Sequence, residues 1–214
     1  MKQIHVNNFS KKINGNYVLK NVNLTVTEGK VYGFYGRNGS GKTMLFRAIS
    51  GLIYADEGSI SIGNLVLHKD MQIPENIGVL IENPGFFPYL SALDNLNLLA
   101  NIRKKIGKKE IFDVLNLVGL DATSHKKFKA FSLGMKQKLG IAQAIMENPD
   151  ILILDEPTNG LDEEGIETIR SIIKKNKEAN KIILLASHNK EDLTILCDEI
   201  YKMENGEIKG RISL

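Results

Sequence analysis

A glycine-rich segment near the N-terminus has the residue types and spacing of a phosphate-binding loop. Its residues are Gly36, Arg37, Asn38, Gly39, Ser40, Gly41, Lys42 and Thr43, and they match the pattern G-x-x-x-x-G-K-[ST]. Glycines allow a tight turn that points backbone N–H groups at an anion. Lys42 supplies positive charge to the β and γ phosphates, and the Thr43 hydroxyl is a hard oxygen ligand for Mg²⁺. The segment predicts a nucleoside triphosphate site, in preference to a flexible turn with an exposed lysine.

Two adjacent acids, Asp155 and Glu156, follow an apolar run that has the pattern of a buried strand. Successive side chains of a strand point to opposite faces. Asp155 is therefore expected in the ligand shell of a magnesium ion, while Glu156 faces an attacking water. Phosphoryl transfer to water needs both roles. Since an acidic strand end by itself only marks an exit to solvent, this interpretation depends on the phosphate-binding loop.

The predicted elements place both motifs at strand ends. A β-branched and aromatic segment at residues 31 to 35 precedes the loop, and helical spacing at residues 44 to 50 follows it. Short strands with turn signals are predicted before this unit, the first of them at residues 3 to 6. Later elements alternate between strand and helix, and they cover residues 151 to 154, 163 to 173, 182 to 186 and 193 to 197. Such alternation predicts a mainly parallel sheet covered on both faces.

Composition excludes several classes of protein. The length of 214 residues favours one domain over residues 1 to 214, and residues 84 to 147, with apolar residues at helical intervals, predict an inserted helical subdomain. The single cysteine, Cys197, excludes an internal disulfide framework and a cysteine-based zinc site, and its neighbours predict a small core residue. No apolar run approaches the roughly 18 residues of a membrane span. We therefore expect a soluble intracellular chain with no direct membrane insertion.

A third motif, at residues 131 to 139, has the sequence Phe-Ser-Leu-Gly-Met-Lys-Gln-Lys-Leu. With the two motifs above, it resembles the ATP-binding cassettes of ABC transporters, and the resemblance covers the whole chain in the expected order. The family's usual Leu-Ser-Gly-Gly-Gln is here Phe-Ser-Leu-Gly-Met, so only the serine and the second glycine are kept. Together with residues 77 to 88, this variant is similar to cassettes of bacitracin-resistance and lantibiotic-immunity exporters.

The resemblance implies that the signature segment of one cassette reaches the γ-phosphate bound by a partner cassette. The implied contact residues are Ser132, Leu133, Gly134 and Met135. Ser132 also fits an ordinary helix N-cap, and both roles are expected together because capping and anion binding use the same backbone groups. Residues 159 to 162 resemble the loop that passes between two cassettes.

Two further residues are implied by position. Glu82 stands where the family usually has a glutamine that approaches magnesium and the attacking water and contacts the membrane subunit. A carboxylate also binds Mg²⁺ but adds negative charge near the γ-phosphate, so coupling or turnover is expected to differ. The alternative is an exposed acid before a Pro-Gly turn. His188 resembles the switch histidine that contacts the γ-phosphate, whereas a lone histidine at a strand end is usually structural.

The adenine contact and the role of the lysines stay open. The family commonly stacks an aromatic side chain on adenine, and that position falls near Ile13, while the nearest aromatic is Tyr17. Basic clusters at residues 103 to 105, 108 to 109 and 126 to 129 fit solvated helix faces, or contact with an anionic membrane surface or an acidic partner loop. Nucleic acid is not expected, because no aromatic residues are interleaved as a stacking surface and the net charge is only +3.

The expected fold is therefore an α/β phosphate-loop ATPase of the ABC type, with a mainly parallel core, an N-terminal antiparallel β subdomain and the helical insertion. The expected function is that of a cassette that hydrolyses Mg-ATP as a head-to-tail dimer, either with itself or with a homologous cassette. Hydrolysis would drive export through a separate permease at the inner face of the cell membrane, with an antimicrobial peptide as candidate cargo. The alternative is a soluble ABC-type ATPase that acts as a regulatory or assembly module without a permease.

Overall fold

The computed structural model describes residues 2–82 and 85–213. Residues 83 and 84 lie outside the described residues. Both belong to the segment 77 to 88 that contributes to the family resemblance, and residue 84 is the first residue of the predicted helical subdomain. The strands are β1 (Gln3–Ile13), β2 (Asn16–Thr27), β3 (Lys30–Tyr35), β4 (Glu57–Ile62), β5 (Leu65–Val66), β6 (Ile77–Leu80), β7 (Ile151–Asp155), β8 (Ile182–Ala186), β9 (Glu199–Glu204) and β10 (Glu207–Ser213). The helices are α1 (Lys42–Ile49), α2 (Ala92–Arg103), α3 (Lys108–Leu117), α4 (Leu133–Ile145), α5 (Glu163–Glu178) and α6 (Lys190–Leu196).

An antiparallel sheet forms the N-terminal part, in the order β2-β1-β4-β5. Its buried side chains alternate along the strands, as Ile4 and Val6 do in β1, so that one face is turned to the core. The pairing of β1 with β2 shifts register between Val6 and Phe9, where Asn8 has a positive φ of 47°. This irregularity interrupts the alternation, and it explains why the sequence predicts only the first part of β1 as a strand.

A second sheet has the order β10-β9-β3-β8-β7-β6. Its central pairs are parallel, and only the β9–β10 hairpin is antiparallel. Every residue of β7 and β8 is buried, as expected for strands covered on both faces. The predicted mainly parallel core with an N-terminal antiparallel part is therefore confirmed.

The parallel strands bring the predicted motifs to one edge of the sheet. The phosphate-binding loop follows β3, Glu82 follows β6, Glu156 follows β7 and His188 follows β8. Since parallel strands share a direction, their carboxyl ends meet at the same edge, where open α/β sheets bind ligands. Strand order therefore gathers segments that lie more than a hundred residues apart in sequence.

The predicted helical subdomain contains α2, α3 and α4. Helix α2 begins at a capping box, in which the Ser91 hydroxyl accepts from the backbone of Asp94 and the Asp94 carboxylate accepts from the backbone of Ser91. Helix α4 packs against β6, and its close approach leaves no room for a Cβ at Gly78 beside the Ala144 carbonyl. The lysines between α2 and α3, at residues 104, 105, 108 and 109, are exposed.

Several predicted boundaries differ from the structure. Strands β4 and β5 were not predicted: β5 has two residues, whereas β4 has the alternating sequence Ser-Ile-Ser-Ile at residues 59 to 62, a usable signal that was missed. Helix α6 ends at Leu196, one residue before the predicted end, and Cys197 continues in an extended conformation with φ −91° and ψ 147°. The Cys197 side chain is buried as predicted, and burial raises the pKa of its thiol to about 12. Within residues 2–82 and 85–213, none of the helices combines the length and apolar character needed to cross a bilayer.

Candidate nucleotide site

The phosphate-binding loop ends at the N-terminus of α1. Gly41 is the N-cap residue and has φ 105° and ψ 0°, a left-handed conformation that glycine adopts without strain. In the part of the chain that the structure describes, no side chain caps this helix. Its first N–H groups are therefore available to an anion, and the helix dipole favours negative charge there.

The loop is packed tightly against the β9–β10 hairpin. A Cβ at Gly36 would collide with the Met203 carbonyl oxygen and lie 2.6 Å from Ser40 Oγ, so only glycine fits. The Gly206 N–H donates to the Ser40 carbonyl at 2.9 Å. Ser40 Oγ is buried and has no hydrogen-bond partner among the described residues. A buried hydroxyl without a partner is costly, and a phosphate oxygen would satisfy it.

Lys42 lies largely buried beneath the loop. Its ammonium group donates to the Gly36 carbonyl at 2.8 Å and approaches the Arg37 carbonyl at 3.4 Å. Both acceptors belong to the same loop and are neutral. The positive charge of Lys42 is therefore held inside the loop and not neutralised by a carboxylate within hydrogen-bonding distance.

Thr43 and Asp155 form the first contact between the loop and β7. The Thr43 hydroxyl donates to Asp155 Oδ2 at 2.6 Å. Burial raises the pKa of the Asp155 carboxyl, the bond from Thr43 lowers it, and the negative charge of Glu156 raises it again. A hydroxyl and a carboxylate oxygen are the hard ligands that Mg²⁺ prefers, and a nearby cation would favour the ionised carboxylate. These two residues therefore fit a magnesium site.

Glu156 lies one residue beyond the end of β7, so the alternation of the strand no longer sets the direction of its side chain. Its φ of 52° is positive, and three hydrogen bonds hold its backbone: its N–H donates to the Ala186 carbonyl at 2.9 Å, and its carbonyl accepts from Gln137 Nε2 at 2.8 Å and from the Asn159 N–H at 3.2 Å. The carboxylate lies 2.7 Å from His188 Nδ1 and accepts from the His188 backbone N–H at 3.2 Å. The two predicted site residues after β7 and β8 are therefore in direct contact.

One cavity of about 710 Å³ collects most of the predicted residues. Its wall includes Asn38 to Met44, Glu82, Asp155, Glu156 and Tyr17. His188 lines a neighbouring cavity of about 640 Å³, which shares Asn38, Gly39 and Ser40 with the first and also includes Gly36 and Arg37. Tyr17 lies on the wall of the first cavity and Ile13 does not, so the structure brings only one of the two adenine candidates to the site.

Comparison with known families shows to which family the chain belongs. The model of the ABC transporter family matches residues 19–159, which include the loop, the signature segment and the acidic strand end. The chain belongs to the ABC transporter ATPase family. The predicted family and the predicted class of enzyme are thereby confirmed.

Several ABC relatives cover nearly all of the chain. The uncharacterised ABC transporter ATP-binding protein YybJ of Bacillus subtilis is 46% identical over 96% of this chain and 94% of that protein. The bacitracin transport ATP-binding protein BcrA of Enterococcus faecalis is 36% identical, covering 99% of this chain and 69% of that protein. The lantibiotic transport ATP-binding protein SrtF of Streptococcus pyogenes is 37% identical over 96% and 88%.

Solved ABC cassettes share the fold. A dimeric structure of the bacterial cassette MJ0796 matches with a TM-score of 0.88 at 27% identity, over 99% of this chain and 98% of that chain. A second dimeric structure of MJ0796, described as a post-hydrolysis state bound to ADP and Pi, has the same TM-score at 26% identity. The predicted ABC-type fold class is confirmed by these matches.

In this ABC cassette, the first residues of the signature segment, 132 to 135, lie outside the chain's own nucleotide cavity. Ser132 is the N-cap of α4, and its hydroxyl accepts from the Met135 N–H at 3.2 Å, as predicted. Leu133 is 57% exposed. Gly134 packs against Gly160, where an added Cβ would lie 2.9 Å from the Gly160 carbonyl oxygen. The segments at residues 132 to 135 and 159 to 162 therefore contact each other.

Glu82 is on the cavity wall but has a partner that the sequence analysis missed. Its carboxylate lies 2.9 Å from a terminal guanidinium nitrogen of Arg47, which is in the last turn of α1. Gln137 and Asn159 also line the cavity and were not predicted as site residues. Gln137 lies within the signature segment, so its position was a usable signal, whereas nothing in the local sequence pairs Arg47 with Glu82.

Proposed function

We propose that this chain binds Mg-ATP and hydrolyses it as one half of a head-to-tail dimer that drives a separate membrane permease. The observation that carries the proposal is the single cavity wall on which the phosphate-binding loop, the Thr43–Asp155 pair and Glu156 meet. This arrangement provides a place for the phosphates, for a metal ion and for the group that orients water.

The phosphates of ATP are bound by the loop at residues 36 to 43. The N-terminus of α1 offers N–H groups, Lys42 offers charge, and the unpaired Ser40 hydroxyl offers a further donor. Adenine packs on Tyr17, whose ring is 41% exposed and has the Lys12 ammonium 4.5 Å from its centroid. Ile13 is assigned no contact, because the cavity wall does not include it.

The metal ligands of this chain are Thr43 and Asp155, with Glu82 at the edge of the same cavity. Mg²⁺ bound there neutralises charge on the β and γ phosphate oxygens. Because the Thr43 hydroxyl already contacts Asp155, the two ligands are preorganised and little rearrangement is needed on binding.

Hydrolysis depends on the contact between Glu156 and His188. Glu156 orients a water molecule and accepts its proton as the water oxygen bonds to the γ-phosphorus. The bond between that phosphorus and the bridging oxygen breaks, and the products are ADP and inorganic phosphate. His188, at 2.7 Å from the Glu156 carboxylate, fixes its direction and contacts the γ-phosphate.

The second wall of each site comes from another cassette. Ser132 to Met135 form an exposed helix N-terminus that their own cavity does not use, and helix N-termini bind anions. In the proposed dimer this segment of one chain contacts the γ-phosphate held by the other. The dimeric structure of the cassette MJ0796 supports a dimer for this chain.

The membrane partner and the cargo are proposed from the relatives. BcrA and SrtF are named for bacitracin and lantibiotic transport, so we propose export of an antimicrobial peptide through a separate permease at the inner membrane face. The proposed docking site for the permease is an apolar groove of about 340 Å³. It includes Ile81 and Phe87, which lie on either side of Glu82 in sequence. A permease bound in this groove would contact the segment that carries Glu82, and through it the proposed metal ligands.

A dilution series tests the proposed function. Because each site needs two chains, the ATP hydrolysis rate per chain is expected to rise with protein concentration and then level off. Chelation of Mg²⁺ with EDTA should abolish hydrolysis at every concentration, and sedimentation in the presence of ATP should show dimer where the rate is high. A constant rate per chain from a species that stays monomeric during turnover would contradict the composite site.

Replacing Glu82 with Gln tests whether this acid contributes to binding. Mg-ATP affinity is expected to stay within about threefold of the parent, because the lost Arg47 pair is exposed and such pairs contribute about 0–1 kcal/mol. The hydrolysis rate is expected to change, since the negative charge near the γ-phosphate is removed. Isothermal titration with Mg-ATP measures the affinity, and Glu147→Gln, which removes the charge that pairs with Arg103, is the control. Loss of binding in Glu82→Gln alone would show that the loop is wrongly placed.

A further inference from the structure

A buried ion pair lies outside the nucleotide cavity, between α5 and α6. Asp192 is 1% exposed and Arg170 is 9% exposed. Nε and one terminal nitrogen of Arg170 donate to the same oxygen, Asp192 Oδ1, at 2.9 and 2.6 Å. A charge removed from water needs a close partner, and this fork geometry supplies it. The cavity chemistry described above uses neither residue.

The second oxygen of Asp192 is bonded to the segment that carries Glu156. The Thr158 hydroxyl donates to Asp192 Oδ2 at 2.7 Å. Thr158 lies two residues after Glu156 and one before Asn159, which lines the nucleotide cavity. Asp192 therefore joins three parts of the molecule, namely α5, α6 and the connection that follows β7.

The segment after β7 and the segment after β8 also contact each other inside the nucleotide site. Glu156 follows β7, His188 follows β8, and their side chains are in contact at 2.7 Å. The His188 side chain is 70% exposed, so this contact is open to water and weak by itself. The contact between Thr158 and Asp192 is part-buried, with Asp192 itself 1% exposed, and hydrogen bonds to a charged acceptor are stronger where water is largely excluded. This bond is therefore better able than the exposed contact to hold the two segments in position.

We propose that Asp192, oriented by Arg170, is a positioning residue for ATP hydrolysis. Its bond to Thr158 holds the Glu156 segment against α6, so that the Glu156 carboxylate stays within reach of His188 and of the attacking water. The proposal rests on the role of Glu156 proposed above. A purely structural role for the pair would instead stabilise the packing of α5 on α6 with no specific effect on the chemical step.

Thr158→Val tests this, because valine keeps the shape of threonine and removes the hydroxyl. The kcat for ATP hydrolysis is expected to fall by about tenfold or more, since small displacements of a reacting group can cost up to about 100-fold. The KM for ATP is expected to stay within about twofold, because Thr158 is not on the cavity wall. Thr158→Ser, which restores the hydroxyl, should recover most of kcat.

Two controls separate positioning from stability. Thr194→Val removes a hydroxyl on α6 that bonds only to the Lys190 carbonyl of its own helix, and it should leave kcat unchanged. Ile173→Val, in the core-facing side of α5, lowers the melting temperature without touching the network and should also leave kcat unchanged. Assays run well below the melting temperature of every variant.

The outcomes are distinct. A parental kcat in Thr158→Val would overturn the proposal, and so would a loss that Thr158→Ser fails to recover or that Ile173→Val reproduces at equal melting temperature. A fall in kcat confined to Thr158→Val, with recovery in Thr158→Ser, supports it. Glu156→Gln in the same assay distinguishes the proposed role of Glu156 from that of Asp192. Parental hydrolysis in Glu156→Gln would contradict the role of Glu156 itself, whatever the result for Thr158→Val.

Discussion

Replacing Glu156 with Gln is expected to lower ATP hydrolysis by about 10²- to 10⁴-fold, the usual contribution of a positioned group that accepts a proton. Glutamine keeps the size of the side chain and cannot accept the proton of the attacking water. Mg-ATP binding is expected to persist, because the phosphate-binding loop and the Thr43–Asp155 pair are unchanged. With ATP bound and not cleaved, the bridge between two chains stays, and a dimer should accumulate.

Size-exclusion chromatography with Mg-ATP measures this dimer, and phosphate release measures the rate. Glu178→Gln, at the exposed C-terminal end of α5, removes the same charge away from the site and is the matched control. A Glu156→Gln protein that hydrolyses ATP at the parental rate would refute the role assigned to Glu156. Loss of hydrolysis without an ATP-dependent dimer would leave the catalytic role and overturn the composite site.

Replacing Lys42 with Ala is expected to reduce nucleotide affinity more than any other single change. Lys42 is 7% exposed, and its amine is held by the Gly36 carbonyl at 2.8 Å. In the proposed complex Lys42 and a phosphate form a buried charge pair, and removing one member of such a pair costs roughly 2–5 kcal/mol, which corresponds to about a 30-fold weaker affinity or more. Isothermal titration with Mg-ATP measures the loss, and ATP hydrolysis should disappear with it.

The matched control for this change is Lys174→Ala, on the exposed face of α5. Lys42→Met is a second variant that keeps the aliphatic stem under the loop and removes only the charge. Both variants of Lys42 are expected to lose affinity alike, and thermal melting should show that Lys42→Met stays folded. Parental affinity in a folded Lys42→Met would mean that the loop binds phosphate through its backbone and α1 alone.

Local motifs predicted the chemistry of this site because each is a short run of residues whose types and spacing are sufficient to indicate a function. The loop at residues 36 to 43 and the acids Asp155 and Glu156 were placed at strand ends, and the structure has them there. The prediction was weaker where the local pattern is interrupted. The bulge near Asn8 interrupts the alternation of β1, and β5 has two residues, too few to show a period.

Contacts between distant segments were beyond the reach of the sequence alone. Arg47 and Glu82, Gln137 and Glu156, and Thr158 and Asp192 are joined by side-chain contacts that no spacing rule relates. Each of these contacts depends on which strands are neighbours and on how far a helix packs over the sheet. Strand order is a property of the whole chain, so these partners appear only in three dimensions.

The sequence by itself determined the phosphate-binding loop, the Thr43 and Asp155 oxygens suited to Mg²⁺, the capping role of Ser132 and the mainly parallel sheet. The tertiary structure decided that Tyr17 and not Ile13 faces the cavity, that Glu82 pairs with Arg47, and that Glu156 and His188 touch. The physical reason is the range of the interactions involved. Backbone turns and helix caps are fixed by neighbours along the chain, whereas cavity walls and ion pairs depend on side chains brought together by the packing of remote elements.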